Sequence, residues 1–441
     1  MPRGPFHLTR QELERFRINR SGPVEKRKVL AHLLAGCEPC RASAREVFFP
    51  QTLDYSRMFD RLEVAFVDAE SAIRAERRRG EELWHLLEPL DATQRLLWVK
   101  NDPRLYMWGL YNLLLNEGRK IIRQDRGEAV GLYHLAWMIA QKLDPEAYGD
   151  TRVRDFQGNA AAQLGNAKRL YGDLRGAEED FARAEELLDL GTGDLLERAY
   201  LLGARATLKA DLGFFDDASA LFRQAVSCAR QMGDRHQEGT YLIAWSSATG
   251  WIDPEKGLEL AKRGEARLER GVDPHLELGA RHLQAACLGE LGRTAEARGL
   301  MEACRPLYAR YSDPVTQGRL LRLEGHLARN EGSLEESEGR FRELVALYER
   351  HDFDFDLALA AVELADVLSL RGKLAESAGI LRGLYPLLER LKLHADILRS
   401  WLILQEAVQR NAAQEQMFRD VAMTLRQKWL RRPAPATLPI G

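Results

Sequence analysis

The chain has 441 residues, 45% of them hydrophobic, which is enough apolar material for a large core. Its 64 Lys and Arg residues nearly balance 66 Asp and Glu residues, so no global charge favours nucleic acid or an acidic partner. Five cysteines in a chain of this length do not make a disulfide scaffold. No apolar run of about 18 residues and no apolar leader segment occur. We therefore expect a cytoplasmic protein with reduced thiols, with neither a membrane span nor secretion.

Residues 1–50 form a basic segment in which ten Lys and Arg residues outnumber five Asp and Glu residues. Four potential metal ligands follow the pattern H-x24-H-x4-C-x2-C: His7, His32, Cys37 and Cys40. Two thiolates separated by two residues can chelate one tetrahedral zinc ion, and a histidine on a preceding helix can reach the same ion. His7 supplies a fourth ligand just before a predicted helix that Thr9 caps, with Glu12 three residues further on.

The stretch VLAHLLAGCEPCRASA at residues 29–44 resembles the zinc-binding anti-sigma domain family. In that family a helix that carries a histidine leads into a turn with C-x2-C, and an upstream His or Cys completes the site. The resemblance implies one structural zinc ion and contact with a regulatory partner such as a sigma factor. Two alternatives stay open, namely a small helical hairpin without metal and a redox pair of cysteines, although no βαβ pattern surrounds the pair.

Residues 51–158 are predicted to form a helical linker followed by one or more atypical capping repeats. Asn101-Asp102-Pro103 interrupts the helical pattern, ending one helix and starting the next. Aromatic residues are concentrated in this segment: Trp84, Trp98, Tyr106, Trp108 and Tyr111. We interpret them as the hydrophobic cap of the repeats that follow, since terminal repeats differ from internal ones. The alternative is an aromatic interaction patch.

A repeat domain is predicted at residues 159–430. Between about residues 160 and 385 of it, a pattern of glycine, small, large and small residues returns at a period of 40 or 41 residues. The five copies are Gly172/Ala177/Phe181/Ala184, Gly213/Ala218/Phe222/Ala225, Gly292/Ala297/Met301/Cys304, Gly332/Ser337/Phe341/Leu344 and Gly372/Ser377/Leu381/Leu384. A degenerate copy at Gly257, Ala261 and Gly264 lacks the turn glycine. Periods of this length are typical of helical hairpins stacked into a solenoid.

Each position in the pattern has a physical role. The glycine tolerates the left-handed conformation that ends the first helix of a hairpin. The large residue and its two small neighbours share one face of the second helix, and a small residue seven positions before each glycine permits close helix contact. The pattern resembles the tetratricopeptide repeat family, in which a glycine ends one helix and A-x3-F-x2-A begins the next. We therefore predict an all-α solenoid of antiparallel helical hairpins, preceded by the small helical zinc-type module.

The resemblance to tetratricopeptide repeats implies a concave groove lined by the first helix of each hairpin. By consensus position, the groove-facing residues are Asn159, Asn166, Arg169, Tyr200, His282, Arg319, Arg322, His326 and Arg329. The last four have helical spacing, so they lie along one face of a single helix. Such a basic stripe suits an acidic peptide, a carboxy-terminus or a phosphate. The alternative is a solvated helix face.

We expect a protein without enzymatic activity, because no nucleotide-binding loop, nucleophile elbow or zinc-protease motif occurs. The favoured hypothesis is a regulatory scaffold whose groove binds a protein or peptide partner. A nucleic-acid-binding regulator that uses the basic N-terminus is less favoured, because no recognition helix is recognisable. A third hypothesis is a scaffold or inhibitory subunit of a protease or nuclease assembly. The proline-rich end at 431–441 is predicted to be a disordered tail.

Overall fold

The computed structural model describes residues 7–18, 20–34, 37–48, 56–390, 395–410 and 412–427. Within these ranges the regular elements are all helices, which confirms the predicted all-α class. The chain divides into two compact units, Met1–Ala75 and Glu76–Gly441. No helix in the described ranges is both long enough and apolar enough to cross a bilayer. The predicted tail at 431–441 lies outside the described residues.

The N-terminal unit is built from short helices. Its elements are α1 (Arg10–Arg17), α2 (Pro23–Leu34), α3 (Glu38–Phe48) and the beginning of α4 (Ser56–Leu87). The predicted cap of α1 is present, because the Thr9 side chain accepts a hydrogen bond from the Glu12 amide at 3.2 Å and the Thr9 amide donates to Glu12 at 2.8 Å. Among the described residues of this unit, the buried apolar side chains make one small cluster: Leu8, Leu13, Val29, Cys40, Ala44 and Val47.

The larger unit begins with the end of α4 and consists of helices packed in chain order. Its first elements are α5 (Ala92–Asn101), a 3-10 turn (Pro103–Leu105), α6 (Trp108–Ile121), α7 (Arg126–Ala140) and α8 (Pro145–Tyr148). Six hairpins follow: α9 (Asp150–Tyr171) with α10 (Leu174–Asp189), α11 (Leu195–Asp211) with α12 (Phe215–Met232), α13 (Arg235–Thr249) with α14 (Pro254–Glu265), α15 (Pro274–Glu290) with α16 (Thr294–Tyr308), α17 (Pro314–Asn330) with α18 (Leu334–Arg350), and α19 (Asp354–Leu370) with α20 (Leu374–Gly383). The last described helices are α21 (Tyr385–Arg390), α22 (Ala395–Gln409) and α23 (Glu415–Gln427).

The turn glycines adopt the conformation that the repeat pattern predicts. Their φ angles are 100° at Gly172, 80° at Gly213, 72° at Gly292, 80° at Gly332 and 74° at Gly372. Each lies between the two helices of one hairpin, where a residue with a Cβ atom would be strained. The predicted α-solenoid of antiparallel hairpins is therefore confirmed.

The large residue of the pattern fills the space between the two helices of a hairpin. Phe181 and Phe341 are buried, with 1% and 0% of their surface exposed. A Cβ atom built on Gly165 would come within 2.9 Å of the Phe181 ring, and one on Gly325 within 2.9 Å of Phe341. The small residue seven positions before each turn glycine therefore allows the ring to enter, as predicted.

The degenerate copy also forms a hairpin, but the large residue lies on its first helix and the small residue on its second. Its second helix, α14, carries Ala261 where other copies have a large residue, and Trp245 occupies the small position on α13. Trp245 stacks on Phe222 of the preceding hairpin, with ring centroids 6.3 Å apart. Large and small residues are thus exchanged between the paired helices, and one aromatic ring still enters the core.

Successive first helices contact one another, from α9 through α11, α13 and α15 to α17. Successive second helices have at most marginal contact in the described ranges, so the first helices line the inner, concave side. The curvature brings distant residues together: Arg126 at the start of α7 donates to Asp356 of α19 at 2.9 Å. The Arg126 guanidinium also lies 4.0 Å from the centroid of the Phe353 ring. The inner side is therefore a groove, and the start of α7 and the start of α19 meet across it.

Candidate functional site

A thiol–imidazole cluster lies in the N-terminal unit, formed by the four residues that the sequence analysis assigns to a metal. One ligand atom from each of His7, His32, Cys37 and Cys40 lies within 4.8 Å of the other three. The Cys37 Sγ atom is 3.3 Å from His7 Nδ1, and the Cys40 Sγ atom is 3.5 Å from the same nitrogen. A tetrahedral zinc ion holds its sulfur and nitrogen ligands about 3.6 Å apart. The donor set and its spacing therefore fit zinc.

Helix ends position these ligands. His7 precedes the capped start of α1, His32 lies in the last turn of α2, and Cys40 lies in the first turn of α3. The Leu8 amide donates a hydrogen bond to Cys40 Sγ at 3.1 Å, and such donors orient a metal-binding thiolate. Burial raises the pKa of the Cys40 thiol. The Nε2 atom of His32 is buried without a hydrogen-bond partner in the described part of the chain, which a metal ion at this position would correct.

Several basic residues of the N-terminal unit are paired with carboxylates. The ion pairs are Arg10–Glu14 at 3.1 Å, Arg15–Glu25 at 2.8 Å and Lys28–Glu12 at 2.6 Å. The hydrogen bond from Lys28 lowers the pKa of Glu12 to about 2, so this carboxylate stays charged at neutral pH. These pairs reduce the positive charge that the nucleic-acid hypothesis assigns to the N-terminal segment.

The nine predicted groove residues all lie on first helices: Asn159, Asn166 and Arg169 on α9, Tyr200 on α11, His282 on α15, and Arg319, Arg322, His326 and Arg329 on α17. Asn166 donates to the Tyr200 hydroxyl at 3.3 Å, and Tyr200 donates to Gln163 at 2.8 Å. Arg169 joins the same network, with hydrogen bonds to Asn166 at 3.1 Å and to Asp211 at 2.7 Å. Burial raises the pKa of Tyr200 to about 12, so the hydroxyl keeps its proton.

Two other predicted groove residues also have protein partners. Asn159 donates to the Glu197 carboxylate on the next first helix. His282 Nδ1 and the Tyr308 hydroxyl are hydrogen bonded at 2.7 Å. Burial, followed by the nearby charges of Arg319 and Arg322, lowers the pKa of His282 to about 3. The imidazole is therefore neutral at pH 7 and shares this hydrogen bond with the Tyr308 hydroxyl, which keeps its proton.

The basic stripe on α17 is largely neutralised by α19. Arg322 Nε donates to Glu363 at 2.9 Å, His326 Nε2 lies 3.4 Å from the same carboxylate, and Arg329 contacts Asp366 at 2.8 Å. Sequence reasoning missed these acids because it considered one helix at a time. A signal was present, since Glu363 follows Arg322 by 41 residues, one repeat period. Arg319 is exposed and has no hydrogen bond or ion pair with the residues that the structure describes.

A cavity of about 920 Å³ opens where the first helices α9, α11 and α13 end. Residues 124–127 and 351–356 also line it, and Arg322 contributes to its wall. Tyr171, Trp251 and Ile252 line it and keep 62%, 43% and 47% of their surface exposed. Sequence reasoning missed this cavity, although large apolar residues beside the hairpin turns are a visible signal.

No family model matches the sequence, and no curated protein sequence matches it. Among solved structures, the chain is similar to a Rap protein complexed with competence and sporulation factor, at 12% identity and a TM-score of 0.57, covering 72% of this chain and 87% of that one. It is also similar to aspartyl phosphate phosphatase F from Bacillus subtilis, at 14% identity and a TM-score of 0.43, covering 70% and 82%. At such low identity the first likeness supports the helical fold alone.

Proposed function

We propose that this protein is a regulatory scaffold without catalytic activity, and that its repeats bind a protein or peptide partner in the groove. The observation that carries the proposal is the cavity of about 920 Å³, whose walls combine accessible aromatic and aliphatic side chains with five Asp and three Arg residues. Cavities of this size and lining commonly receive the side chains of a ligand. The Rap protein structure, which holds competence and sporulation factor in a fold of the same type, supports the proposal.

The absence of catalysis is proposed from the state of the polar groups. Burial raises the pKa of the thiols of Cys228, Cys287 and Cys304, that of Cys287 to about 11. A thiol with a raised pKa is a poor nucleophile at neutral pH. Seven of the nine predicted groove residues form hydrogen bonds or ion pairs with other side chains of the protein, and His326 Nε2 lies 3.4 Å from the Glu363 carboxylate. Arg319 alone has no such contact in the described ranges.

The groove proposal is tested by filling the cavity. A library of short random peptides is selected on the wild-type protein, and the affinity of the enriched peptides is then measured by fluorescence anisotropy. Ser247 lines the cavity and is exposed, so Ser247→Trp fills the space without disturbing the core and weakens binding by about tenfold or more. Ser227→Trp is the matched control, because Ser227 is exposed on the second helix α12. Equal binding by both variants, or no enriched peptide, contradicts the proposal.

We further propose that His7, His32, Cys37 and Cys40 hold one zinc ion. Four protein ligands leave no position open for water, so the ion has a structural role in the N-terminal unit. Elemental analysis of the purified protein is expected to find one zinc per chain, and none in the double variant Cys37→Ser/Cys40→Ser. Equal zinc content in both proteins contradicts the assignment.

The regulatory partner proposed for this zinc-holding unit is a sigma factor, on the basis of the family resemblance at residues 29–44. Purified sigma factors from the same genome are tested for binding to the full chain by biolayer interferometry. Binding that is lost in Cys37→Ser/Cys40→Ser supports this coupling. If every sigma factor tested fails to bind the zinc-loaded protein, the coupling is wrong, although the zinc assignment stands.

A further inference from the structure

Helix α23 packs on two of the helices that form the cavity, because it contacts both α19 and α11. Its buried residues Phe418 and Val421 belong to the same apolar cluster as Leu359 of α19, and Leu359 also lines the cavity. Asp211, the last residue of α11, lines the cavity too. Helix α23 is therefore next to the proposed binding space.

Helix α22 runs parallel to α19, because the chain reverses twice between them. The first reversal is the turn at Gly372, after which α20 packs antiparallel to α19. Helix α21 continues α20, since the Leu384 amide donates to the Ile380 carbonyl at 3.2 Å and the Leu388 amide to the Leu384 carbonyl at 3.0 Å. Residues 391–394 then connect α21 to α22, which packs against α20. Helices that are in contact and joined by so short a connection run antiparallel.

Helix α23 reverses the direction once more. Residues 410–414 connect it to α22, against which it packs, so α23 runs antiparallel to α22 and to α19. Its last residue, Gln427, therefore lies toward the start of α19. Residues 354–356 at the start of α19 line the cavity. The chain that follows α23 accordingly leaves the helix on the side where the cavity lies.

The lining of the cavity has more negative than positive charge. Each of its three arginines already contacts a carboxylate at 2.7–2.9 Å, and for Arg322 this carboxylate is Glu363, outside the lining. The exposed faces of Tyr171 and Trp251 favour cations further, because aromatic rings attract them. The cavity therefore suits a ligand with positive charges and apolar side chains. The charged lining residues are Asp125, Asp211, Asp352, Asp354, Asp356, Arg126, Arg169 and Arg322.

Residues 428–432 have the chemistry that fits this lining. The segment follows α23 directly, lies outside the described residues, and consists of Lys428, Trp429, Leu430, Arg431 and Arg432. It carries three positive charges, two large apolar side chains and no acid. Its charges are complementary to the acidic lining, and its apolar side chains to the exposed aromatic and aliphatic walls.

We propose that residues 428–432 occupy the cavity of their own chain, as an internal ligand that the partner must displace. The Lys and Arg side chains pair with cavity carboxylates, and Trp429 packs on the exposed aromatic wall. A partner that takes the same place needs the same chemistry, which is a peptide with Lys or Arg beside an aromatic or aliphatic residue. This inference rests on the proposed function, that the groove receives a peptide.

A zero-length cross-link tests the contact in the full-length protein. A carbodiimide joins a lysine amine to a carboxylate that it contacts, and mass spectrometry of the digested protein identifies the linked residues. Lys428 is expected to link to an Asp of the cavity, such as Asp352. Ser247→Trp, which fills the cavity, and Arg431→Gln/Arg432→Gln, which removes two charges, are each expected to reduce this linkage about fivefold or more.

Peptide affinity provides the second measurement. Peptides enriched on the wild-type protein are expected to be basic and to bind Arg431→Gln/Arg432→Gln about fivefold more tightly, because loss of an internal competitor raises the fraction of empty cavities. The control Arg223→Gln/Arg382→Gln removes two charges at exposed arginines outside the cavity lining. It is expected to show the wild-type linkage and affinity. Circular dichroism verifies that each variant keeps the helical content of wild type.

No linkage of Lys428 to a cavity Asp, or equal linkage in wild type and Ser247→Trp, overturns the inference. Linkage only between two different copies, which a mixture of isotope-labelled and unlabelled protein detects, also overturns it, as does unchanged peptide affinity in Arg431→Gln/Arg432→Gln. The cross-link needs no external peptide, so its failure is distinguishable from failure of the proposed function. If no peptide is enriched but the cross-link forms, the internal contact stands and the external partner is wrong.

Discussion

The N-terminal unit and the repeat unit both bury the apolar sides of helices, but they differ in how much apolar core each has. The described core of the N-terminal unit is one cluster of six buried residues, one of which is the metal-ligand candidate Cys40. In the repeat unit, each hairpin covers the apolar side of the next, so one cluster follows another along the chain. A solenoid is stabilised by repetition, whereas a unit of this small size usually needs a metal ion, a disulfide or a partner.

The candidate functional residues of the two units differ in how far apart they lie along the chain. The four metal-ligand candidates meet because three short helix ends converge within one small unit. The groove is formed by side chains from different hairpins, such as Arg322 and Glu363, which are 41 residues apart. The first site can therefore be damaged by one local change, whereas the second depends on the register of many helices.

The largest expected effect is loss of the metal. In Cys37→Ser/Cys40→Ser, residues 7–48 are expected to lose hydrogen-exchange protection, because structural zinc contributes on the order of 10 kcal/mol to folding. Exchange in the repeat hairpins should be unchanged. Cys228→Ser, in α12, is the control and should keep the zinc. Unaltered protection at 7–48 in the double variant would show that this unit is stable without metal.

The next effect concerns a side chain that fills a hairpin. Phe222 is fully buried, and Phe222→Ala is expected to lower the free energy of unfolding by about 3–5 kcal/mol because it leaves a cavity. Phe214, 43% exposed, serves as the control, and Phe214→Ala should cost about 0.5 kcal/mol. Urea unfolding followed by circular dichroism measures both. A neutral result for Phe222→Ala would contradict the repeat register.

A smaller effect on the free energy of unfolding is expected when a turn glycine is replaced. Gly332 has a φ angle of 80° and open space around its Cα atom, so Gly332→Ala is expected to cost about 1–2 kcal/mol from backbone strain alone. Gly339 lies within α18 and is also open, so Gly339→Ala should stabilise by about 0.5–1 kcal/mol. Thermal unfolding measures both variants, and the two substitutions should shift the melting temperature in opposite directions. Shifts of the same sign would contradict the left-handed turn.

The smallest expected effect is a change in how the free energy of unfolding depends on pH. Burial lowers the pKa of His282 to about 3, so below pH 6.5 the unfolded chain binds a proton that the folded protein excludes. The contribution of neutral His282 to the free energy of unfolding is fully present above pH 6.5 and is lost as the pH falls toward 3. His282→Gln is expected to reduce the slope between these values by up to about 1.4 kcal/mol per pH unit. His85→Gln, at an exposed histidine, should leave it unchanged. Equal slopes in both variants would show that His282 is not desolvated.

The sequence alone determined the repeat unit to a large extent. Turn glycines such as Gly213 and buried rings such as Phe181 are local requirements of a helical hairpin, so each leaves its mark at a fixed spacing. The sequence also predicted that His7, His32, Cys37 and Cys40 lie close together, because the ligands of one ion are restricted in type and spacing. That they bind zinc stays a prediction. Which residues lie on first helices was also predictable, because the repeat register assigns them.

Tertiary structure alone decided which groups pair, which remain unpaired and where the cavity lies. The Arg126–Asp356 contact joins residues 230 positions apart, and no local pattern announces it. The small rotation between neighbouring hairpins accumulates along the solenoid, and the sum determines which walls of the groove meet. Arg319 and Arg322 look equivalent on one helix face, but the neighbouring α19 supplies a carboxylate to Arg322 and none to Arg319.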